Sequence, residues 1–271
     1  MCYNGAMSYN QATMYDIEPH IAEIYDQNET YTDDVELIRR LIGGRERLRI
    51  LEPFCGTGRI LVPLALDGHE LVGLDLARGM LARARMKIDR LPPEARTRIT
   101  LVEADVLNEE WPRGFDLVVL GGNCFYELAT PQEQETCIAS TAASLNPGGY
   151  VYVDNNHMEG DLDESWQKPG KRSGFPTGTC ADGTQVESTT EIIWYDVPRR
   201  LAKFRRRTKV TLPDGNVVKR EYVQQKHPVS AFEVRTWLEA HGFVIERTFG
   251  DRAGNPCTET SKRAIFWARK R

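Results

Sequence analysis

No Cys-x-x-Cys pair and no cysteine–histidine cluster occurs in this sequence, so neither a zinc site nor a dithiol centre is predicted. The six cysteines, at 2, 55, 124, 137, 180 and 257, are scattered. A chain of 271 residues can hold itself together without disulfide staples, and free thiols in a reducing cytoplasm are the simplest reading. No apolar run reaches the roughly 18 residues needed to cross a bilayer, so no membrane partner is expected. The opening stretch MCYNGAMSYNQATMYD lacks a basic segment followed by an apolar one, and no secretory signal is expected in it. Neither sign of charge dominates: the formal net charge is -4, with acids and bases mixed, which argues against a nucleic-acid surface. The local exception, Arg199-Arg200 through Arg205-Arg206-Arg207, reads as the solvated face of a strand pair, or else as a contact for an anionic partner. Internal repeats and low-complexity segments are absent.

What the chain has is alternation. Residues 1–30 are polar and rich in tyrosine, with weak helical patterning around Glu18–Tyr25. A helix is predicted over 33–43, where Val35, Leu37, Ile38, Leu41 and Ile42 share a face, Asp33 and Asp34 suit the start, and Gly43-Gly44 the end. Strands RLRILEPF and ELVGLDL flank a helix GRILVPLALDG; a helix ARGMLARARMKIDRL then leads to strands RITLVEADV and FDLVVLGG. Helix PQEQETCIASTAASL, a turn at Asn146-Pro147-Gly148-Gly149 and strand YVYVDNN follow. This order predicts an α/β fold: a Rossmann-like, doubly wound, mostly parallel sheet with helices on both faces. After residue 157 the pattern breaks. Residues 158–184, rich in Gly, Pro and Asp, read as a loop, while 185–196, 201–212 and 217–225 read as strands of an antiparallel excursion beside the sheet. A helix over 230–241 starts with a Ser230/Glu233 capping box, and Phe243–Thr248 and Ala264–Arg269 close the chain as strands.

The stretch ILEPFCGTGR, residues 50–59, carries the chemistry. An acid ends a strand, a loop with two glycines follows, and a helical pattern begins. The dinucleotide fingerprint G-x-G-x-x-G fails, because Leu61 stands at the third glycine position, and no Gly-Lys completes a phosphate loop. S-adenosylmethionine makes different demands: close backbone approach, a partner for its ammonium group and carboxylates for its ribose.

At these residues the chain resembles the class I S-adenosylmethionine-dependent methyltransferases. LEPFCGTG resembles the family's first motif, LVGLDL the second, VEADVL the third, FDLVVLGGNCF the fourth and LNPGGYVYVD the fifth, in order over about residues 48–154. The resemblance implies a cofactor site. Gly56 and Gly58, with Thr57 and Arg59, form the loop; Glu52 beneath it orients it or meets the methionine ammonium; Asp75 accepts the ribose hydroxyls. Leu76 and Met80 pack on the adenine, Asp105 accepts from its amine, Val106 offers backbone contact, and Gly121 and Tyr31 complete the site. Phe54 stands where the family often has a small residue. It either anchors the loop in the core or lines the methionine arm beside the sulfonium.

GGNCFYEL and GGYVYVD are similar to the corresponding segments of the glycine/sarcosine N-methyltransferases, and the order of the later elements is similar to theirs and to that of the sugar N,N-dimethyltransferases. The resemblance makes Asn123 the residue that orients the acceptor amine. Asn156 falls where those enzymes hold glycine's carboxylate with arginine; an uncharged amide forms no bidentate ion pair, which argues against glycine. His157 and Glu127 are candidate bases, since an amine must lose its proton before attack. Tyr15, Tyr25, Tyr31 and Tyr126 are candidates for a lid of aromatic faces near the methyl cation, and His227 is a further substrate-pocket candidate. The implied enzyme is a cytoplasmic methyltransferase, monomer or homodimer, with a small-molecule substrate, no metal, no nucleic-acid partner and no membrane. Methylation is expected at an amine nitrogen; the alternatives are an O-methyltransferase of a natural-product scaffold or a cofactor-binding protein without turnover. The predicted organisation is a lid segment over 1–32, a cofactor-binding core over 33–157, a β excursion capping the acceptor site over 158–228, and a final helix and strands over 229–271 that complete the sheet.

Overall fold

A computed structural model describes residues 19–156 and 170–271. His157 and Tyr15 lie outside the described residues. The N-terminal helices are α1 (Pro19–Asn28) and α2 (Asp33–Ile42). They lead into β1 (Arg49–Pro53), α3 (Leu61–Leu66), β2 (Glu70–Asp75), α4 (Arg78–Ile88), the short α5 (Pro93–Arg96), β3 (Ile99–Glu103) and β4 (Phe115–Leu120). A 3-10 turn (Cys124–Glu127) precedes α6 (Pro131–Ser144) and β5 (Leu145–Asn156). Strands β6 (Gly170–Thr179), β7 (Gln185–Asp196), β8 (Leu201–Thr211) and β9 (Val217–Lys226) form a second sheet; α7 (Ala231–Ala240), β10 (Phe243–Phe249) and β11 (Arg263–Lys270) return to the first.

The main sheet has seven strands in the order β10-β11-β5-β4-β1-β2-β3. Strands β1 to β5 pair in parallel, and β11 alone runs against its neighbours β5 and β10. Side chains alternate across it. Leu51, Val118, Leu120, Val151, Val153 and Phe266 turn to one face, where they meet Ile138 of α6 and Val234 and Leu238 of α7. Ile50, Leu117, Val119, Tyr152 and Ile265 turn to the other, against Val35 and Ile38 of α2 and Leu61 and Leu64 of α3. Burial on both faces explains the unbroken apolar run of β4.

The second sheet is antiparallel, in the order β6-β7-β8-β9. The sequence pattern makes residues 170–179 a loop, yet they form β6. Its glycines answer to packing: a Cβ on Gly174 would come within 2.8 Å of Thr190 Oγ1, and one on Gly178 within 3.0 Å of Ile24 Cδ1. Pro176 falls inside the register shift between Gly174 and Gly178, where no ladder donor is required. Ile21 and Ile24 of α1 pack with Cys180, Val186 and Val210 of this sheet. The other side of α1 reaches the core, where Asp26 accepts from Thr57 Oγ1, Lys87 Nζ (2.6 Å) and Arg83 Nε (3.0 Å). Helix α1 thus spans the second sheet and the glycine loop. Among the described residues no helix is long and apolar enough to cross a membrane.

Candidate functional site

The site forms at the carboxyl ends of β1, β2 and β4, where open parallel sheets bind ligands. Strand β1 ends at Glu52-Pro53, and the chain then bends through left-handed backbone at Phe54 (φ 60°), Gly56 (φ 54°) and Gly58 (φ 75°). The bend is fastened by β2. Cys55 N–H donates to Leu74 O (2.9 Å), Gly56 N–H to Asp75 Oδ2 (2.7 Å) and Ala77 N–H to Asp75 Oδ1 (2.8 Å). Asp75 thus sets its carboxylate at the mouth of the loop as well as fastening it. Gly73, which the motif reading passes over, makes this closeness possible: a Cβ there would lie 2.5 Å from Leu61 Cδ1 and 2.8 Å from Cys55 Sγ.

Phe54 lines the cleft and also packs against the α6 side of the core. Its backbone explains why a small residue is usual there: a side chain at φ 60° costs roughly 1–2 kcal/mol. Of the three non-glycine residues with positive φ among those described, Phe54 and Asn123 both line this cleft. Such strain collects at functional sites.

Glu52 lines the cleft at only 5 % exposure. Burial pushes its carboxyl well above the ordinary range, against the pull of the Arg59 guanidinium. Its Oε2 is buried with no hydrogen-bond partner among the described residues. Arg59 also lines the cleft, with its guanidinium bidentate to the fully buried Asp34 (2.7 and 2.6 Å). Tyr31 does not line the cleft. Its ring lies between the Arg59 guanidinium (3.9 Å) and that of Arg252 (4.2 Å), and burial raises its phenol against both. Arg252 continues to Asp154 (2.8 Å), which also receives Arg263 Nε (2.7 Å). Neither arginine is signalled by a motif; both arrive from the last 20 residues of the chain.

Met80, Thr57 and Gly121 line the cleft. Leu76, Asp105 and Val106 do not. Asp105 organises its own turn, accepting from the N–H groups of Leu107 and Asn108 and from Asn108 Nδ2 (2.8 Å). Val106 is a core residue, and Leu76 packs at the core's edge.

Of the candidate acceptor residues, Tyr25, Asn123 and Glu127 line the same cleft. Asn123 N–H donates to Asp154 O (3.1 Å), and its Oδ1 accepts from Asn156 N–H (2.8 Å) and Arg263 Nη2 (3.0 Å). Tyr126 and Asn156 stand just behind and share a side-chain hydrogen bond; burial nevertheless pushes the phenol up to about 12. From the second sheet, Gln224 Nε2 donates to Glu127 Oε2 (3.3 Å). Lys226 Nζ lies 5.5 Å from the Tyr126 ring centre, its ammonium destabilised by burial and by Arg206 while Glu127 supports it. His227 corrects the expectation of a substrate contact. It is 1 % exposed, with Nδ1 on Gln134 Oε1 (2.8 Å) and Nε2 on Glu233 (3.3 Å), and so ties β9 to α6 and α7.

Comparison with known proteins bears on this geometry. Residues 50–149 match the model of a methyltransferase domain. That stretch carries a methyltransferase domain. It is 30 % identical over 148 residues to the dTDP-3-amino-3,4,6-trideoxy-alpha-D-glucopyranose N,N-dimethyltransferase of Streptomyces venezuelae, covering 52 % of this chain and 58 % of that one. It is 26 % identical over 207 residues to the glycine/sarcosine N-methyltransferase of Halorhodospira halochloris, covering 76 % and 69 %. The CcbJ methyltransferase of Streptomyces caelestis shares the fold, with TM-score 0.70 at 18 % identity over 97 % of this chain and 99 % of that one. The cleft fits the S-adenosylmethionine expected from the sequence: Glu52 Oε2 offers a buried, unanswered acceptor for an ammonium, and Asp75 sets a carboxylate at the end of β2, the group that ribose hydroxyls would need.

Proposed function

We propose that this methyltransferase transfers a methyl group to an amine nitrogen of a small molecule. When bound, S-adenosylmethionine supplies an electrophilic methyl group on a cationic sulfur. The chain's own residues hold the two partners in line and keep water out. Glu52, the loop over Gly56 and Gly58, and Asp75 fix the cofactor. Asn123 and Glu127 face it from the acceptor side, and Tyr25 closes the same cleft. An ammonium has no lone pair, so the amine must lose a proton before the N–C bond can form and the C–S bond break, and Glu127 is the carboxylate on the acceptor wall that would take it. The second sheet caps this wall and holds Glu127 through Gln224.

The observation that carries the reading is that one cleft joins the cofactor carboxylates to a polar acceptor wall. The named activities of the two curated relatives, both N-methyltransferases, support nitrogen as the acceptor atom. The test is S-adenosylhomocysteine release across a panel of amines, amino sugars and phenols. Turnover on amines is expected; turnover on phenols alone would replace nitrogen by oxygen, and cofactor binding without turnover would make the protein a binder.

A further inference from the structure

Asn123 lines the cleft from a left-handed turn, and the oxygen of its side chain is already engaged. An amide oxygen accepts two hydrogen bonds well. Oδ1 receives the Asn156 N–H at 2.8 Å and Arg263 Nη2 at 3.0 Å. Both partners are obligate donors, so the amide cannot sit flipped, with its NH₂ facing them. Arg263 is itself pinned: Nε donates to Asp154 Oδ1 (2.7 Å) and Nη1 to Asn156 Oδ1 (3.0 Å), while Arg252 holds the other Asp154 oxygen (2.8 Å). Asp154 is fully buried. The side-chain group left over is Nδ2, to which no group bonds among the described residues.

Nδ2 is a donor only. A donor aimed at an amine's lone pair would occupy the electrons that must attack the methyl group. Asn123 is therefore unsuited to hold the reacting nitrogen and suited to hold an oxygen. That oxygen is uncharged by the local balance, because Arg59, Arg252 and Arg263 are matched by Asp33, Asp34 and Asp154. We propose that Arg263 fixes Asn123 as a hydrogen-bond donor to a hydroxyl of the acceptor, which is then an amine carrying a hydroxyl beside the methylated nitrogen. This rests on the methyl-transfer reading above. Asn123 is the residue in contact with the acceptor; Arg263 is a positioning residue.

The experiment uses the full chain with three probes: 2-aminocyclohexanol, cyclohexylamine and 2-aminocyclohexanecarboxylate, each scored by S-adenosylhomocysteine release. The wild type should prefer the amino alcohol by kcat/KM. Equal or better turnover of cyclohexylamine, preference for the carboxylate, or no turnover of any of the three with cofactor affinity intact overturns the hydroxyl assignment. Loss of cofactor binding, or turnover on phenols alone, defeats the underlying reading instead. Asn123→Asp keeps an oxygen toward Arg263 and the Asn156 N–H but removes the donor. Its KM for the amino alcohol should rise roughly 10- to 100-fold with S-adenosylhomocysteine affinity unchanged. Were the oxygen of Asn123 holding the amine, this carboxylate would lower KM, and the proposal would fail. Arg263→Gln should collapse the ratio of alcohol to plain-amine turnover, and Arg263→Lys should restore part of it; an equal fall on both substrates means a merely structural arginine. In the cofactor-product complex, the Asn side-chain amide signal lost in Asn123→Asp should shift on adding 2-aminocyclohexanol and stay put with cyclohexylamine. No shift with the alcohol overturns the contact.

Discussion

Replacing Glu52 by Gln separates two consequences of one buried carboxyl. Glu52 is 5 % exposed, its Oε2 lacks a partner, and burial lifts its carboxyl well above the ordinary value of 4.5. Between that value and the raised one, the folded protein holds a proton that the unfolded chain has released. Folded protein then binds more protons than unfolded, so the stability of the free protein falls as pH rises through this window. Cofactor binding runs the opposite way, because the ionised carboxyl attracts the methionine ammonium. A charge-assisted hydrogen bond contributes about 1.5–3 kcal/mol, roughly 10- to 150-fold in Kd. Titration calorimetry with S-adenosylhomocysteine, which carries the same ammonium, should therefore show affinity rising with pH in the wild type. Proton release on binding should appear where Glu52 is still protonated. In Glu52→Gln the affinity should drop by that factor at neutral pH, the pH dependence should flatten, and the free protein should lose the decline in stability. Wild-type affinity that does not change with pH, or a variant that binds within twofold of wild type, would refute the assignment of Glu52 to the ammonium.

Three further outcomes are expected. Asp75→Ala removes the acceptor placed for two ribose hydroxyls and frees the Gly56 N–H, so S-adenosylhomocysteine affinity should fall on the order of a hundredfold or more by calorimetry. Gly73→Ala forces a methyl group against Leu61 and Cys55 and should cost about 1–3 kcal/mol in urea unfolding, with weakened cofactor binding because the loop is displaced. His227→Phe leaves Gln134 Oε1 and Glu233 without their imidazole; unfolding should show a loss of roughly 1–3 kcal/mol while acceptor KM stays unchanged, and a changed KM would return His227 to the substrate pocket.

The sheet was legible in sequence because its strands carry their own signal. Runs such as FDLVVL are apolar throughout since both faces are covered, and Ser230 with Glu233 marks the start of α7 unaided. The cofactor loop was legible for a similar reason: its glycines and the acids at 52 and 75 sit at fixed intervals on consecutive strands. Strand β6 was not, because its glycines and proline mean a loop until Thr190 and Ile24 are seen pressed against them. The acceptor wall was only half legible. Asn123 and Glu127 lie in one motif, but the direction of the Asn123 amide is set by Arg263, 140 residues away, and no local pattern encodes that. Asp105 shows the reverse failure: its position is where a ligand acid belongs, while its oxygens serve the neighbouring turn.

The charged cluster around Tyr31 also bears on when the site can be completed as the chain is made. Its members come from both ends of the chain, with the Asp33–Arg252 pair separated by 219 residues. During synthesis the glycine loop and its parallel strands can form once β4 has emerged, since β1 pairs only with β2 and β4. Asp154 and Asn123 must wait for Arg252 and Arg263, because β11 arrives last and inserts between β5 and β10. The side chains around Asn123 therefore reach their final arrangement only after the whole of β11 is in place.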